Sequence, residues 1–301
     1  MKILFIGSSG ADYLYDCTLH GLYNNPKVEV TNFPQSTLMY KGIEKLSVYG
    51  HGFTIYGTLD SYKSTNHDDV LKRIKKKYFD YIFFSALHTN GNLETGFTEE
   101  IFKNYKRHQI VTLDGYDDDH IRGNILDRTI YFKRELIYHN DDIFPISFAF
   151  PIEKIQSFKK EKIRKDSLVK PAWYPNKNYL YTNEQDYYED YRSSLFGDTY
   201  KKGGWDCLRH YEIMACRCIP HFIDIDNCPV RTCTTLPKDL LKEANKLYEN
   251  PFKFFTAKNK GWTKYLKLEK KIFDHFIENC TTLSLSNYII DTISNYKLKA
   301  N

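Results

Sequence analysis

The chain reads as an α/β protein of two Rossmann-like domains facing a cleft, and three features carry that reading. Short apolar runs alternate with amphipathic or basic segments, the first run opens directly into a small-residue turn, and a lysine-rich stretch without an apolar stripe interrupts the pattern near mid-chain. Alternation of this kind lays successive strands parallel in a sheet covered by helices on both faces. A chain of 301 residues has room for two such units, each of about 150 residues. The expected division is 1–152 and 153–301.

The first strand is Lys2 to Gly7, the turn is Gly7, Ser8, Ser9 and Gly10, and a helix is expected over Ala11 to Tyr23. This is a Rossmann opening, but its glycines do not follow the G-x-G-x-x-G spacing, which disfavours NAD. Val28 to Phe33 reads as the second strand. Asp69 to Lys77 reads as a basic helix leading into the apolar run Tyr81 to Ala86, and Ile110 to Leu113 as a strand ending at Asp114-Gly115. Open parallel sheets bind ligands at the carboxyl ends of their strands. Gly7, Ser8, Ser9, Gly10, Asp12, His88 and the turn Asp114 to His120 should therefore line one cleft. Arg128 to Phe132 and Ile143 to Phe150 are further strands. Lys133, Arg134 and Glu135 follow the first of them, either facing the cleft or lying on the surface.

Glu153 to Lys170 is dominated by lysine and runs into Pro171 and Pro175, as an interdomain connection would. Beyond it come a strand Tyr179 to Thr182, a helix Glu184 to Ser194, a strand Ile219 to Asp224 and a helix Lys238 to Tyr248. Tyr265 to Glu278 and Ser284 to Tyr296 close the chain as helices.

Composition narrows the class. With 42% hydrophobic and 27% charged residues the chain should fold as an ordinary globular protein. The net charge of +5 comes from 43 basic and 38 acidic residues, a balance that argues against a nucleic-acid partner and suits an anionic substrate. Basic stretches at Lys72 to Lys77 and Phe158 to Lys165 read as solvated faces. No run approaches the ~18 apolar residues of a membrane span, and MKILFIGSSG lacks a signal peptide's apolar core. A cytoplasmic protein is expected. The 25 Tyr and 20 Phe are scattered through strand-like runs.

The densest chemistry lies in Lys201 to Pro229, KKGGWDCLRHYEIMACRCIPHFIDIDNCP. Gly203 and Gly204 can bring backbone amides close to a ligand, and the helix starting near Asp206 offers unpaired N–H groups and a positive dipole end. Lys201 and Lys202 could neutralise a diphosphate, although Asp206 could instead cap the same amides. Arg209 and Glu212, three apart, share a helix face. An Arg there suits bidentate phosphate contact, and a Glu suits a ribose diol. Cys207, Cys216, Cys218, Cys228 and Cys233, with His210 and His221, raise a zinc reading, but they lack the C-x-x-C pairing of zinc knuckles. Reduced, buried thiols are expected. Asp224-Ile225-Asp226 raises a metal-binding D-x-D reading.

The order Gly-Trp205-Asp-Cys-Leu-Arg209-His-Tyr-Glu212, then Cys218-Ile219-Pro220 and an apolar strand ending in Asp, resembles the donor-nucleotide region of GT-B glycosyltransferases. It is most similar to exostosin-like and family 1-like enzymes, with Arg217 standing where their pattern has Gly. The specific match covers about thirty residues. The resemblance implies transfer of a sugar from a nucleotide-diphosphate donor, held by the C-terminal domain, to a hydroxyl of a glycan or other acceptor held by the N-terminal one. It implies that Glu212 contacts the donor ribose, that Lys202 and Arg209 contact the diphosphate, and that no metal or other cofactor is needed. If the reaction inverts at the anomeric carbon, a catalytic base would come from the N-terminal cleft, with Asp114, Asp117 and His120 as the candidates and Asp119, Asp12 and His88 also placed to serve. Two alternatives stay open: a metal-dependent GT-A enzyme using Asp224 and Asp226, and a non-catalytic nucleotide-sugar-binding protein.

Overall fold

The computed structural model describes residues 1–7, 10–44, 48–60, 65–85, 96–156, 168–169, 180–249 and 260–300. Six parallel strands form the larger sheet: β1 (Lys2–Ile6), β2 (Glu29–Phe33), β3 (Tyr81–Phe84), β4 (Ile110–Asp114), β5 (Ile130–Lys133) and β6 (Ile143–Pro145). Their order is β2-β1-β3-β4-β5-β6. Alternate residues serve opposite faces. Ile3, Phe5, Phe83, Val111, Leu113 and Phe132 join one apolar cluster, while Leu4, Ile6, Ile82, Phe84, Ile110 and Tyr131 join the other. Burial on both faces is why these strands read as nearly continuous apolar runs. Helix α1 (Tyr13–Tyr23) covers the first face, and α2 (His67–Lys75) and α3 (Thr98–Asn104) bring Val70, Ile74 and Ile101 to the second. A short helix, α4 (Gly123–Leu126), precedes β5. The expected strand Ile143 to Phe150 contracts to the three residues of β6.

A second, three-stranded parallel sheet runs β7 (Leu168–Val169), β8 (Phe196–Thr199), β9 (Ile219–Phe222). Residues 180–182, expected in a strand, lie outside any strand. The sheet instead uses β8, Phe-Gly-Asp-Thr, whose Gly and Asp are poor strand formers. Gly197 is set by packing, since a Cβ there would lie 3.0 Å from Ile213 Cγ2. The stretch read as a connection carries α5 (Ile152–Gln156) and β7. The remaining helices are α6 (Glu184–Arg192), α7 (Leu208–Ala215), α8 (Lys238–Tyr248), α9 (Lys260–Asn279) and α10 (Thr282–Ala300). Among the described residues no helix is long and apolar enough to cross a membrane.

Helix α7 ends where the resembled pattern has glycine. Arg217 takes the left-handed conformation, φ 55°. Its N–H bonds Met214 O at 2.9 Å and that of Cys218 bonds Ile213 O at 3.1 Å, a Schellman closure. The conformation costs a non-glycine residue about 1 kcal/mol. The side chain offsets this with a 2.8 Å bond to Glu269 and a place 4.7 Å over the Phe273 ring.

Helix α10 returns to the N-terminal half and packs on α1. His20 Nδ1 lies 2.9 Å from Thr282 Oγ1, and Asn25 Nδ2 donates to Ser286 and Asn287 at 3.1 and 3.0 Å. Gly21 is what lets the two helices meet, because a Cβ there would collide with the Thr282 carbonyl. Helix Gly→Ala usually stabilises by about 1 kcal/mol. Here the sign should reverse: Gly21→Ala is expected to lower the urea unfolding midpoint, and a raised midpoint would contradict this packing.

Candidate functional site

The site is organised around the start of α7. The helix begins with Cys207 as N-cap and no side-chain cap, and of its first-turn amides that of His210 donates to the Cys207 carbonyl at 3.0 Å. Asp206 does not cap them. It accepts from the Phe148 amide at 2.6 Å and the Tyr211 hydroxyl at 2.7 Å, tying the turn to the N-terminal half and to its own helix. Burial pushes its carboxyl up to about 6, partly opposed by Arg134. His210 locks the turn from the other side. Its Nε2–H donates to Trp205 O at 2.8 Å while Nδ1 accepts from Thr199 Oγ1 at 2.8 Å, and burial pushes the ring down to about 3, leaving it neutral.

The charged triplet after β5 is buried, and this corrects the surface alternative for it. Lys133, Arg134 and Glu135 are 0%, 1% and 3% exposed. Glu135 accepts from the amides of Trp205 at 2.9 Å and Asp206 at 3.1 Å. Arg134 donates to Asp206 O at 2.6 Å, to Gly115 O at 3.0 Å and to Glu135, and it pairs with Asp117. Gly203 and Gly204 make this approach possible. A Cβ on Gly203 would strike the Asp117 carboxylate, and one on Gly204 would lie 2.5 Å from Glu135 Oε1.

Between this clamp and α6 lies a cleft of about 230 Å³, to which Asp117, Lys202, Gly203, Gly204, Arg209 and Glu212 contribute. Its cationic end holds Lys202 and Arg209. The Arg209 guanidinium sits 5.5 Å over the Tyr200 ring, is 7% exposed, and has its Nη1 buried without a hydrogen-bond partner among the described residues. Burial, then the Arg209 charge, lowers the Lys202 amine. Glu212, one helical turn on, accepts from Tyr187 Oη at 2.5 Å and from Thr54 Oγ1, and burial raises its carboxyl. Thr54 comes from the N-terminal half. Its amide donates to Glu184 at 2.7 Å and its hydroxyl meets Tyr188 at 2.6 Å.

The structure thus brings together six of the sequence candidates and leaves the rest elsewhere. Asp114 is fully buried, held by Arg122 at 2.7 Å, by Lys133 at 3.1 Å and by Tyr131, so its oxygens are taken and out of reach of an acceptor. His120 is exposed, its amide bonded to Asp118, and it does not line the cleft. Lys201 is exposed, 5.4 Å from the Trp205 ring, and that ring rests by Phe222. Gly7 lies under the Tyr15 ring and Gly10 is exposed. Asp12 caps α1 through the Leu14 and Tyr15 amides, both at 3.1 Å, and accepts from Ser85. Lys133 serves the Asp114 cluster and Arg134 the clamp. Ser8, Ser9 and His88 lie outside the described residues.

Asp224 and Asp226 do not line the cleft, and Asp226 pairs with Lys242 at 3.1 Å. Cys207, Cys216, Cys218 and Cys233 are buried thiols, and no three His, Cys, Asp or Glu side chains gather as metal ligands among the described residues. Sequence reasoning missed Phe53, Thr54, Tyr181 and Tyr187. The glycines around Phe53 and the Tyr187-Tyr188 pair on α6 were the available signals.

No family model matches the chain, and no curated protein does. Two solved structures are similar in fold. One is an alpha-glucosyltransferase in complex with UDP and a 13-mer DNA containing a central A:G mismatch, at 12% identity and TM-score 0.53, covering 98% of this chain and 100% of that one. The other, an alpha-glucosyltransferase with UDP and a 13-mer DNA containing an HMU base, has TM-score 0.49 at 12% identity, covering 98% of this chain and 99% of that one. The first corrects the expectation that nucleic acid is excluded as a partner, because a protein of this fold holds DNA beside UDP. The expectation rested on total charge, which says nothing of how charge is distributed over a surface.

Asp206 gives a pH test. Its carboxyl keeps a proton in the native state up to about 6, whereas in the unfolded chain it releases it near about 4. The stability tied to that proton is therefore present below about pH 4 and lost as pH rises through about 6, on the order of 3 kcal/mol. Relative to Asp206→Asn, the wild type should lose stability between pH 4 and pH 7 in urea unfolding. Parallel profiles would contradict the assignment.

Proposed function

We propose that this chain is a glycosyltransferase that moves a sugar from a nucleoside-diphosphate donor to an acceptor hydroxyl. One observation carries the reading: a buried guanidinium, Arg209, whose Nη1 has no partner among the described residues, set beside Lys202 and a helix start without a side-chain cap in one cleft. A buried guanidinium nitrogen without a hydrogen-bond partner is costly, and a diphosphate would satisfy it together with the ammonium and the helix start. The shared fold with a UDP-bound alpha-glucosyltransferase supports this reading, as does the GT-B resemblance over α7 and β9.

In this proposal the two halves act as GT-B domains divided near residue 152, and the exostosin-like pattern extends no further than the donor segment. The donor C1–O bond to the diphosphate breaks as the acceptor oxygen bonds C1. Lys202, Arg209 and the first-turn amides of α7 take up the charge on the leaving diphosphate, with no metal called for. The acceptor proton passes to Asp117, whose side chain is 64% exposed at the cleft and is aimed by its ion pair with Arg134. Of the two acceptor classes, a glycan rests on the resemblance alone. DNA rests on a protein of the same fold that holds it with UDP, so we place it first. Because internal DNA has no free hydroxyl, the acceptor hydroxyl would sit on a modified base.

Release of UDP from UDP-sugars, assayed with hydroxyl-bearing duplex DNA and with oligosaccharides, tests the proposal. Asp117→Asn is expected to cut transfer at least about 100-fold while UDP affinity stays within about twofold. Full transfer by Asp117→Asn would remove it as the base, and absence of nucleoside-diphosphate binding by the wild type would reject the donor reading.

A further inference from the structure

Lys202, Arg209 and Glu212 line the cleft together with aromatic rings, and Tyr187, bonded to Glu212, has Phe53 and Tyr181 beside it. Cations, a carboxylate and flat rings are the groups that suit the diphosphate, ribose and base of a nucleotide. We infer that the loop Gly50 to Thr54 of the N-terminal half is part of the nucleotide site and that Phe53 supplies the face on which the base stacks. The inference rests on the donor reading above.

Of these three rings, Tyr187 is buried while Tyr181 and Phe53 are partly exposed, and Phe53 is the one carried on the loop that Thr54 fastens to Glu212. Phe53 is partly exposed, with its centroid 5.7 Å from that of Tyr187 and the two planes at 34°. A base laid on the exposed part of the ring would stack there, and base–aromatic stacking of this kind tolerates any base.

The backbone shows that this position is enforced. Gly50, His51, Gly52 and Thr54 all take left-handed φ, at 66°, 54°, 60° and 74°. A β-branched residue such as Thr54 almost never does so unless its surroundings compel it. Those surroundings belong to the other half of the molecule: Glu184, Tyr188 and Glu212. Thr54 is thus a positioning residue. It holds the loop so that Phe53 enters the cleft, and it fixes one oxygen of the Glu212 carboxylate.

Calorimetric titration of wild type, Phe53→Ala and Phe53→Trp with UDP, ADP, GDP and inorganic pyrophosphate tests the inference. Phe53→Ala should weaken the best-bound nucleoside diphosphate about tenfold or more and leave pyrophosphate within about twofold. Phe53→Trp should retain nucleotide affinity, and its added indole fluorescence should be quenched by the nucleotide and not by pyrophosphate. Equal losses for nucleotide and pyrophosphate, an unchanged nucleotide affinity in Phe53→Ala, or an unquenched indole at saturation would overturn it. A wild type that binds none of the four probes rejects the donor reading itself. One that binds nucleotide with Phe53→Ala unaffected rejects only the role of Phe53.

Discussion

Arg134 leaves the end of β5 inside the protein, and the mouth of the cleft is hung on where its guanidinium points. It reaches the Gly115 and Asp206 carbonyls and the Asp117 and Glu135 carboxylates, so one planar cation fixes the acidic turn, the Lys-Gly-Gly turn and the entry to α7. Three carboxylates surround this cation. Burial, only partly opposed by Arg134, pushes the Asp206 carboxyl up to about 6, with the Glu135 charge a smaller addition. The clamp needs glycines at 203 and 204, since any side chain there would enter the carboxylates that grip the turn.

That arrangement leaves the helix start without a side-chain cap. Asp206, placed where a cap would be, is turned to Phe148 and Tyr211, and the Glu135 carboxylate takes the amides of 205 and 206 just before the helix. What remains at the cleft is a positive dipole end beside Arg209 and Lys202, facing one carboxyl whose ionisation burial opposes. Such a site suits an anion, as the proposed donor reading requires.

The fold was largely legible because strands buried on both faces leave continuous apolar runs, as in Tyr81 to Phe84. β8 was hidden because Gly197 and Asp198 answer to packing against Ile213 and bonding to His221, which local propensity does not record. In the site, Lys202, Arg209 and Glu212 stood out through spacing on one short helix. Lys133 to Glu135 could be read equally as surface or cleft, since burial of three consecutive charges depends on partners that lie about seventy residues away in sequence. Asp114 and Asp117 looked equivalent in one acidic turn, yet β4 ends between them. The first is left in the sheet with Lys133 and Arg122 and the second is carried to the cleft. Thr54 was invisible, because a threonine acquires its role only when the other half folds against it.

The central claim is that Arg209, whose Nη1 has no hydrogen-bond partner among the described residues, is placed to bind a diphosphate. Thermal unfolding of wild type and Arg209→Met, each with and without UDP, tests it most directly. The account predicts that Arg209→Met raises the ligand-free melting temperature and abolishes the further rise that UDP gives the wild type. A variant that melts lower without ligand, or that still responds to UDP as the wild type does, would contradict it.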